Sequence, residues 1–219
     1  MISTSFYRNR ARFRARPSVI VDYLGAQSDA PAATRMLFVL RFAVATGLRP
    51  AELLAAQLGH LTDAGESGIV LTVVGKGGKA RLVPVPDSAL LALDAYLDFR
   101  GIRRGQEQCR AVPLVASTLD AHAPISYRVF LRSFKSLVGQ ALGASTLTPA
   151  IQTRVMGATL HWLRHTHAVR FVEGGGTIDI LQENMGHADS KTTAGYYQGE
   201  LSRRAAAVRA VFDEHNYQT

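Results

Sequence analysis

The chain has 219 residues, 47% hydrophobic and 19% charged, which allows one well-packed domain and argues against a disordered segment. A formal net charge of +8, with a sequence pI near 10.1, points either to a polyanionic partner, of which nucleic acid is the commonest, or to solubility alone. A single cysteine, Cys109, excludes an internal disulfide framework and a cysteine-based zinc site, and no run of about 18 apolar residues offers a membrane span.

The first thirty residues read as a basic arm or interdomain linker lying along DNA, or as a solvated leader. Arg8, Arg10, Arg12, Arg14 and Arg16 recur at every second position, which is not a helical spacing, and Pro17 interrupts the run. They have no apolar core of the kind a secretory leader needs, so a cytoplasmic setting is expected. From Ala32 to Ala45 the apolar residues Met36, Leu40, Ala43 and Val44 fall at helical intervals. Gly47 supplies a stop, and Pro50 suits the first turn of a second helix carrying Glu52, Leu53, Leu54 and Leu58. Arg49 sits in the elbow between them.

Ile69 to Val74 is a β-branched run, and after Gly75-Lys76-Gly77-Gly78-Lys79 a second alternation runs through Arg81, Val83 and Val85. This predicts a β-hairpin with a glycine-rich, lysine-bearing turn. It is not a phosphate-binding loop, because a strand follows where that motif needs a helix. The remainder reads as helical. One helix, capped by Asp87 or Ser88, ends near Gly101, and another spans about Ser126 to Leu142. On the latter Phe130, Phe134, Leu137 and Ala141 share one face, while Arg128, Arg132 and Lys135 form a basic stripe on another. That stripe is either a solvated face or a surface for a DNA groove.

A third helix carries His161-Trp162-Leu163-Arg164-His165-Thr166-His167 and breaks at Gly174-Gly175-Gly176. Thr177 can cap the next, Gly186-His187 makes a turn, and Ser190 or Thr192 can start a helix bearing Tyr196 and Tyr197. The stretch from Leu201 to Phe212 is amphipathic. The resulting fold class is α+β, mainly α-helical with a small antiparallel β-hairpin or sheet.

Several of these segments, in order and spacing, resemble the signature boxes of the tyrosine recombinase (phage integrase) family. Thr46-Gly47-Leu48-Arg49-Pro50-Ala51-Glu52-Leu53 looks like the first box, and Gly75 to Arg81 followed by Val83-Pro84 is similar to the lysine hairpin. His161-x-x-Arg164-His165-Thr166, Gly186-His187 and Thr192-Thr193-x-x-Tyr196 resemble the second box. The resemblance implies the catalytic-domain fold of that family over residues 31–200, with residues 201–219 as a tail helix available for exchange between protomers. It implies Arg49, Lys76, His161, Arg164, His187 and Tyr196 as the catalytic set. Tyr196 would attack a DNA phosphate, Lys76 would protonate the leaving 5′ oxygen, and a covalent 3′-phosphotyrosine would conserve the bond energy without ATP.

Elementary chemistry agrees. A phosphodiester gathers more negative charge as a nucleophile approaches, and without a metal fixed cations must absorb it. Guanidinium forks bind phosphate oxygens bidentately and keep their protons, which suits Arg49 and Arg164. A phenol with a reference pKa of about 10 needs positive charge or a base beside it, which His161 and His187 can supply. The expected partner is double-stranded DNA, contacted by Arg128, Arg132, Lys135, Lys79 and Arg81, with a tetramer on DNA in the full-length protein. No cofactor and no metal are expected. His161 and His165 stand at the spacing of a zinc helix, but the glutamate of that motif is missing and Arg164 would repel a cation. Glu52 reads as an anchor for a basic neighbour, Trp162 as core, and Tyr197 as the weaker candidate nucleophile. Relatives of this kind carry a separate helical domain upstream. The 48 residues before Arg49 are too few for one, so the chain is expected to be a catalytic domain, excised or truncated. The competing readings are a type IB topoisomerase-like strand transferase and a DNA-binding regulator that keeps the fold without turnover.

Overall fold

The computed structural model describes residues 16–27, 29–75, 77–157, 160–186 and 197–213. Its elements in chain order are α1 (Arg16–Gly25), α2 (Pro31–Thr46), α3 (Pro50–Ala55), β1 (Leu61–Asp63), β2 (Ile69–Val74) and β3 (Ala80–Pro84). Then follow α4 (Asp87–Phe99), α5 (Tyr127–Gly143), α6 (Pro149–Met156), α7 (His161–Glu173), α8 (Ile178–Met185) and α9 (Tyr197–Phe212). The domain is mainly helical with one small antiparallel sheet, as the sequence predicts.

Helix α2 is the axle. Eleven of its residues are buried, including Met36, Phe38, Val39, Leu40, Phe42 and Ala43, so it is apolar on nearly every side, the pattern of a helix surrounded by others. It packs against α1, α4, α5 and α7. Its one deeply buried cation, Arg35, donates to the Ala116 carbonyl at 3.2 Å and to Ser133 Oγ at 3.1 Å, and so ties α2 to a loop and to α5. The helix ends at Gly47, which takes the left-handed conformation (φ 67°) that side chains disfavour. Pro50 opens α3 two residues after Leu48. That tight elbow is what sets the position of Arg49.

The sheet runs β1-β2-β3, with Leu71 opposite Val83 and Val73 opposite Arg81. Gly77 and Gly78 at φ 82° and 75° turn the hairpin between β2 and β3. Helix α9 lies across β3 and the Gly65–Ser67 turn. Among the described residues no helix is long and apolar enough to cross a membrane.

Several expectations need correction. The basic arm is not structureless throughout, because α1 occupies residues 16–25 and buries Ile20 and Leu24 against α2 and α5. Arg8, Arg10, Arg12 and Arg14 lie outside the described residues. The hairpin gains a third strand, β1, too short to show a period in sequence. Helix α3 stops at Ala55, leaving Leu58 in a separate single turn. Helix α6 adds a short element between α5 and α7. The start of α4 is capped neither by Asp87 nor by Ser88. Instead Asp213, from the far end of the chain, accepts both of their amide N–H groups at 3.1 and 2.9 Å. Helix α9, at the start of the tail read as available for exchange between protomers, packs within this chain and buries Leu201, Ala205, Val208, Val211 and Phe212. It lies against α7, α8 and β3.

Candidate active site

Arg49 and Arg164 come from elements far apart in sequence and converge on the end of α8. Arg49 is the residue before α3. Its backbone N–H donates to Glu52 Oε2 at 2.8 Å and its Nη1 to Glu52 Oε1 at 2.7 Å, so the carboxylate three residues into the helix caps the helix and holds the arginine at once. Its Nη2 reaches the Gly186 carbonyl at 3.4 Å, while 37% of the side chain stays open to solvent. Arg164 stands one turn inside α7 and is 3% exposed. Its Nη1 donates to the Gly47 carbonyl at 2.8 Å and its Nη2 to the Met185 carbonyl. Burial first, then the charges of Arg49 and Arg81, push its pKa down to about 10, which leaves it fully charged at neutral pH. Two guanidiniums are thus gathered on the consecutive carbonyls of Met185 and Gly186, immediately before His187.

Glu52 is the anion that makes this cluster of cations tolerable. Arg81 of β3 grips it with a second fork, Nη1 to Oε1 at 2.9 Å and Nη2 to Oε2 at 2.8 Å. Burial alone would push the Glu52 carboxyl up, but the hydrogen bonds from Arg81 and Arg49 outweigh it and hold the pKa near 2. The expectation that Glu52 anchors a basic neighbour is met twice over. The expectation that Arg81 faces DNA is corrected, because its guanidinium is spent on Glu52 and on the Asn184 carbonyl, and only 14% of the side chain is exposed.

His161 opens α7 one turn before Arg164 and is exposed. His165 is half-buried, and Thr166 Oγ1 donates back to the Trp162 carbonyl at 3.0 Å. Trp162 packs against the edge of the core. Lys79 is exposed beside the hairpin turn, and Arg128 and Arg132 are exposed along α5. Lys135, the third member of that stripe, is half-buried and donates to the Met156 carbonyl. Lys76, His187 and Tyr196 lie outside the described residues, as do Ser190 and Thr192.

Sequence reasoning overlooked His167. It is fully buried, its Nδ1 lies 2.8 Å from the Val44 carbonyl, and its ring stacks on Phe212 with centroids 5.3 Å apart. Burial, with a smaller push from Arg164, lowers its pKa to about 4, so it is neutral, and its Nδ1 N–H donates to Val44. A Cβ on Gly47 would lie 2.6 Å from this ring. Only a glycine fits there, and its carbonyl is the one that accepts from Arg164 at 2.8 Å.

A family model described as the phage integrase family matches residues 15–203. The chain belongs to that family. Among curated relatives, it is 28% identical to the tyrosine recombinase XerD of Rickettsia conorii over 175 residues, covering 78% of this chain and 54% of the relative. It is 30% identical to the tyrosine recombinase XerC of Erythrobacter litoralis, covering 84% of this chain and 52% of the relative. The chain therefore spans about half the length of these relatives. The fold is also that of solved recombinase structures. The XerH site-specific recombinase bound to its difH substrate, at 17% identity, superposes over 86% of this chain and 47% of its own with a TM-score of 0.52. The XerA recombinase, at 21% identity, covers 92% of this chain and 62% of its own with a TM-score of 0.51.

Proposed function

We propose that this chain is the catalytic domain of a site-specific DNA recombinase that cleaves and rejoins double-stranded DNA through Tyr196. The observation that carries the reading is the convergence of Arg49 and Arg164 on the backbone that leads into His187. Two buried or half-buried guanidiniums side by side cost folding energy, and a phosphodiester in transfer is the substrate that repays such an arrangement. Tyr196 Oη forms the new bond to phosphorus as the bond to the deoxyribose 5′ oxygen breaks. The phenolic proton passes to the histidine pair, His161 and His187, and the departing oxygen takes a proton from Lys76. Arg49 and Arg164 hold the non-bridging oxygens, where negative charge grows. Rejoining is the same step in reverse, with the 5′ hydroxyl of another strand as nucleophile. Arg128, Arg132 and Lys79 contact phosphates outside the reacting one, and Lys135 flanks them. In the full-length protein the active unit is a tetramer on DNA.

Incubation with nicked duplexes carrying candidate sites tests the reading. The nick lets the released strand diffuse away and traps the covalent intermediate. A covalent protein–DNA band is expected with the parent chain and with Tyr197→Phe, and none with Tyr196→Phe. A band that survives Tyr196→Phe moves the nucleophile elsewhere.

A further inference from the structure

The last three carbonyls at the C-terminal end of α8 are each held by a different arginine. Arg81 Nε donates to Asn184 at 3.2 Å, Arg164 Nη2 to Met185, and Arg49 Nη2 to Gly186 at 3.4 Å. A helix C-terminus leaves its final carbonyls without intrahelical donors and carries partial negative charge, so three cations are well matched to it. Two of the three belong to the proposed catalytic set. Arg81 does not, yet it has the most constrained position. All three of its guanidinium nitrogens donate, to both Glu52 oxygens and to Asn184. The Gly186 backbone lies directly on it, so that a Cβ there would sit 3.0 Å from Arg81 Cδ.

We propose that Arg81 is a positioning residue for phosphoryl transfer, a role that rests on the strand-transfer reading above. It joins three separate pieces of the site. Through Glu52 it fixes the carboxylate that holds Arg49. Through Asn184 and its contact with Gly186 it fixes the backbone that receives Arg164 and leads into His187. Its own strand, β3, continues the hairpin whose turn carries Lys76. Arg81 touches no substrate in this role. Each of its guanidinium nitrogens already donates within the protein, its side chain is 14% exposed, and the Glu52 carboxylate it shares with Arg49 lies within 2.8 Å.

The test uses Arg81→Gln and Arg81→Lys in single-turnover cleavage of a nicked duplex, with binding measured separately over a range of salt. The expected result for Arg81→Gln is a cleavage rate at saturating DNA lower by about 10²-fold, the effect of misplacing groups by about 1 Å. The DNA dissociation constant and its salt dependence stay as in the parent. Arg81→Lys keeps the charge beside Glu52 but cannot bind both carboxylate oxygens and Asn184, and recovers only part of the rate. A weaker affinity with a salt slope reduced by about 1 and an unchanged rate overturns the proposal in favour of a phosphate contact. An unchanged rate in both variants also overturns it. If Arg81→Gln does not fold, the Lys variant decides alone, because an unchanged rate in it contradicts the need for a fork. Amide hydrogen exchange of free protein supplies a readout separate from activity. The amides of residues 183–186 should exchange faster in Arg81→Lys than in the parent, and equal exchange counts against the clamp. Absence of any covalent product from the parent chain would sink the strand-transfer reading and leave this exchange comparison standing.

Discussion

Replacing Glu52 by glutamine leaves the shape of the site and removes the one charge that two arginines share. Glu52 is 9% exposed and its pKa is held near 2, against an ordinary 4.5, because the bonds from Arg81 and Arg49 outweigh the cost of burial. The folded state therefore prefers the carboxylate more strongly than the unfolded chain does. The stabilisation is complete above about pH 4.5 and is lost as the pH falls toward 2. At about 1.4 kcal/mol per pH unit, the gap from 4.5 to about 2 is worth roughly 3 kcal/mol. That agrees with the loss of about 3–5 kcal/mol seen when one member of a buried ion pair is removed. Urea unfolding at pH 7 should find Glu52→Gln less stable by about 3 kcal/mol, with the same dependence on urea. Repeated at falling pH, the two unfolding free energies should converge as pH 2 is approached. Equal stability at pH 7, or a difference that stays constant into acid, refutes the assignment of Glu52 as the charge that holds the arginines together.

Three further outcomes follow from other parts of the site. His167 has a folded pKa of about 4 against 6.5, so the unfolded chain binds the proton more readily and stability falls as pH drops through that interval, by up to roughly 3 kcal/mol. His167→Phe keeps the stack on Phe212 but loses the bond to Val44, so it should be about 1 kcal/mol less stable than the parent at pH 7 and the more stable of the two near pH 4; parallel pH curves would contradict this. Gly47→Ala meets both a positive φ and the His167 ring, and should lower the melting free energy by about 2 kcal/mol or more while slowing cleavage, since the Gly47 carbonyl that holds Arg164 must move. Arg128→Gln with Arg132→Gln should weaken DNA binding for all sequences and reduce the slope of log affinity against log salt by about 2, with folding stability unchanged; an unaltered slope would take the α5 stripe off the DNA.

Much of this architecture is legible in the residues, for identifiable reasons. Proline at a first helical turn and glycine after a last one mark the elbow that carries Arg49, and a β-branched run with a glycine-rich turn marks the hairpin. Those signals are local, and the structure keeps them. What stays hidden depends on distant parts of the chain meeting. Asp213 caps α4 across most of the sequence, and nothing near Asp87 announces it. Arg81 carries the same charge as Lys79 two residues earlier, yet one is spent on Glu52 and the other is exposed, a distinction that only the sheet register and the approach of α8 decide. His167 looks like one more histidine in a run of three, and its burial against Gly47 depends on how α7 crosses α2. The basic spacing of the first residues masked α1, whose apolar residues Ile20 and Leu24 are few but reach the core. In each case a tertiary contact overrides the reading suggested by composition.

Tyr196 is the proposed nucleophile. Trypsin cuts after Lys191 and Arg203, so the segment between them, which holds both Tyr196 and Tyr197, can be recovered as one peptide from the trapped complex and fragmented by mass spectrometry. The account predicts a nucleotide phosphate on Tyr196. A phosphate on Tyr197, or on a residue outside this peptide, would contradict it.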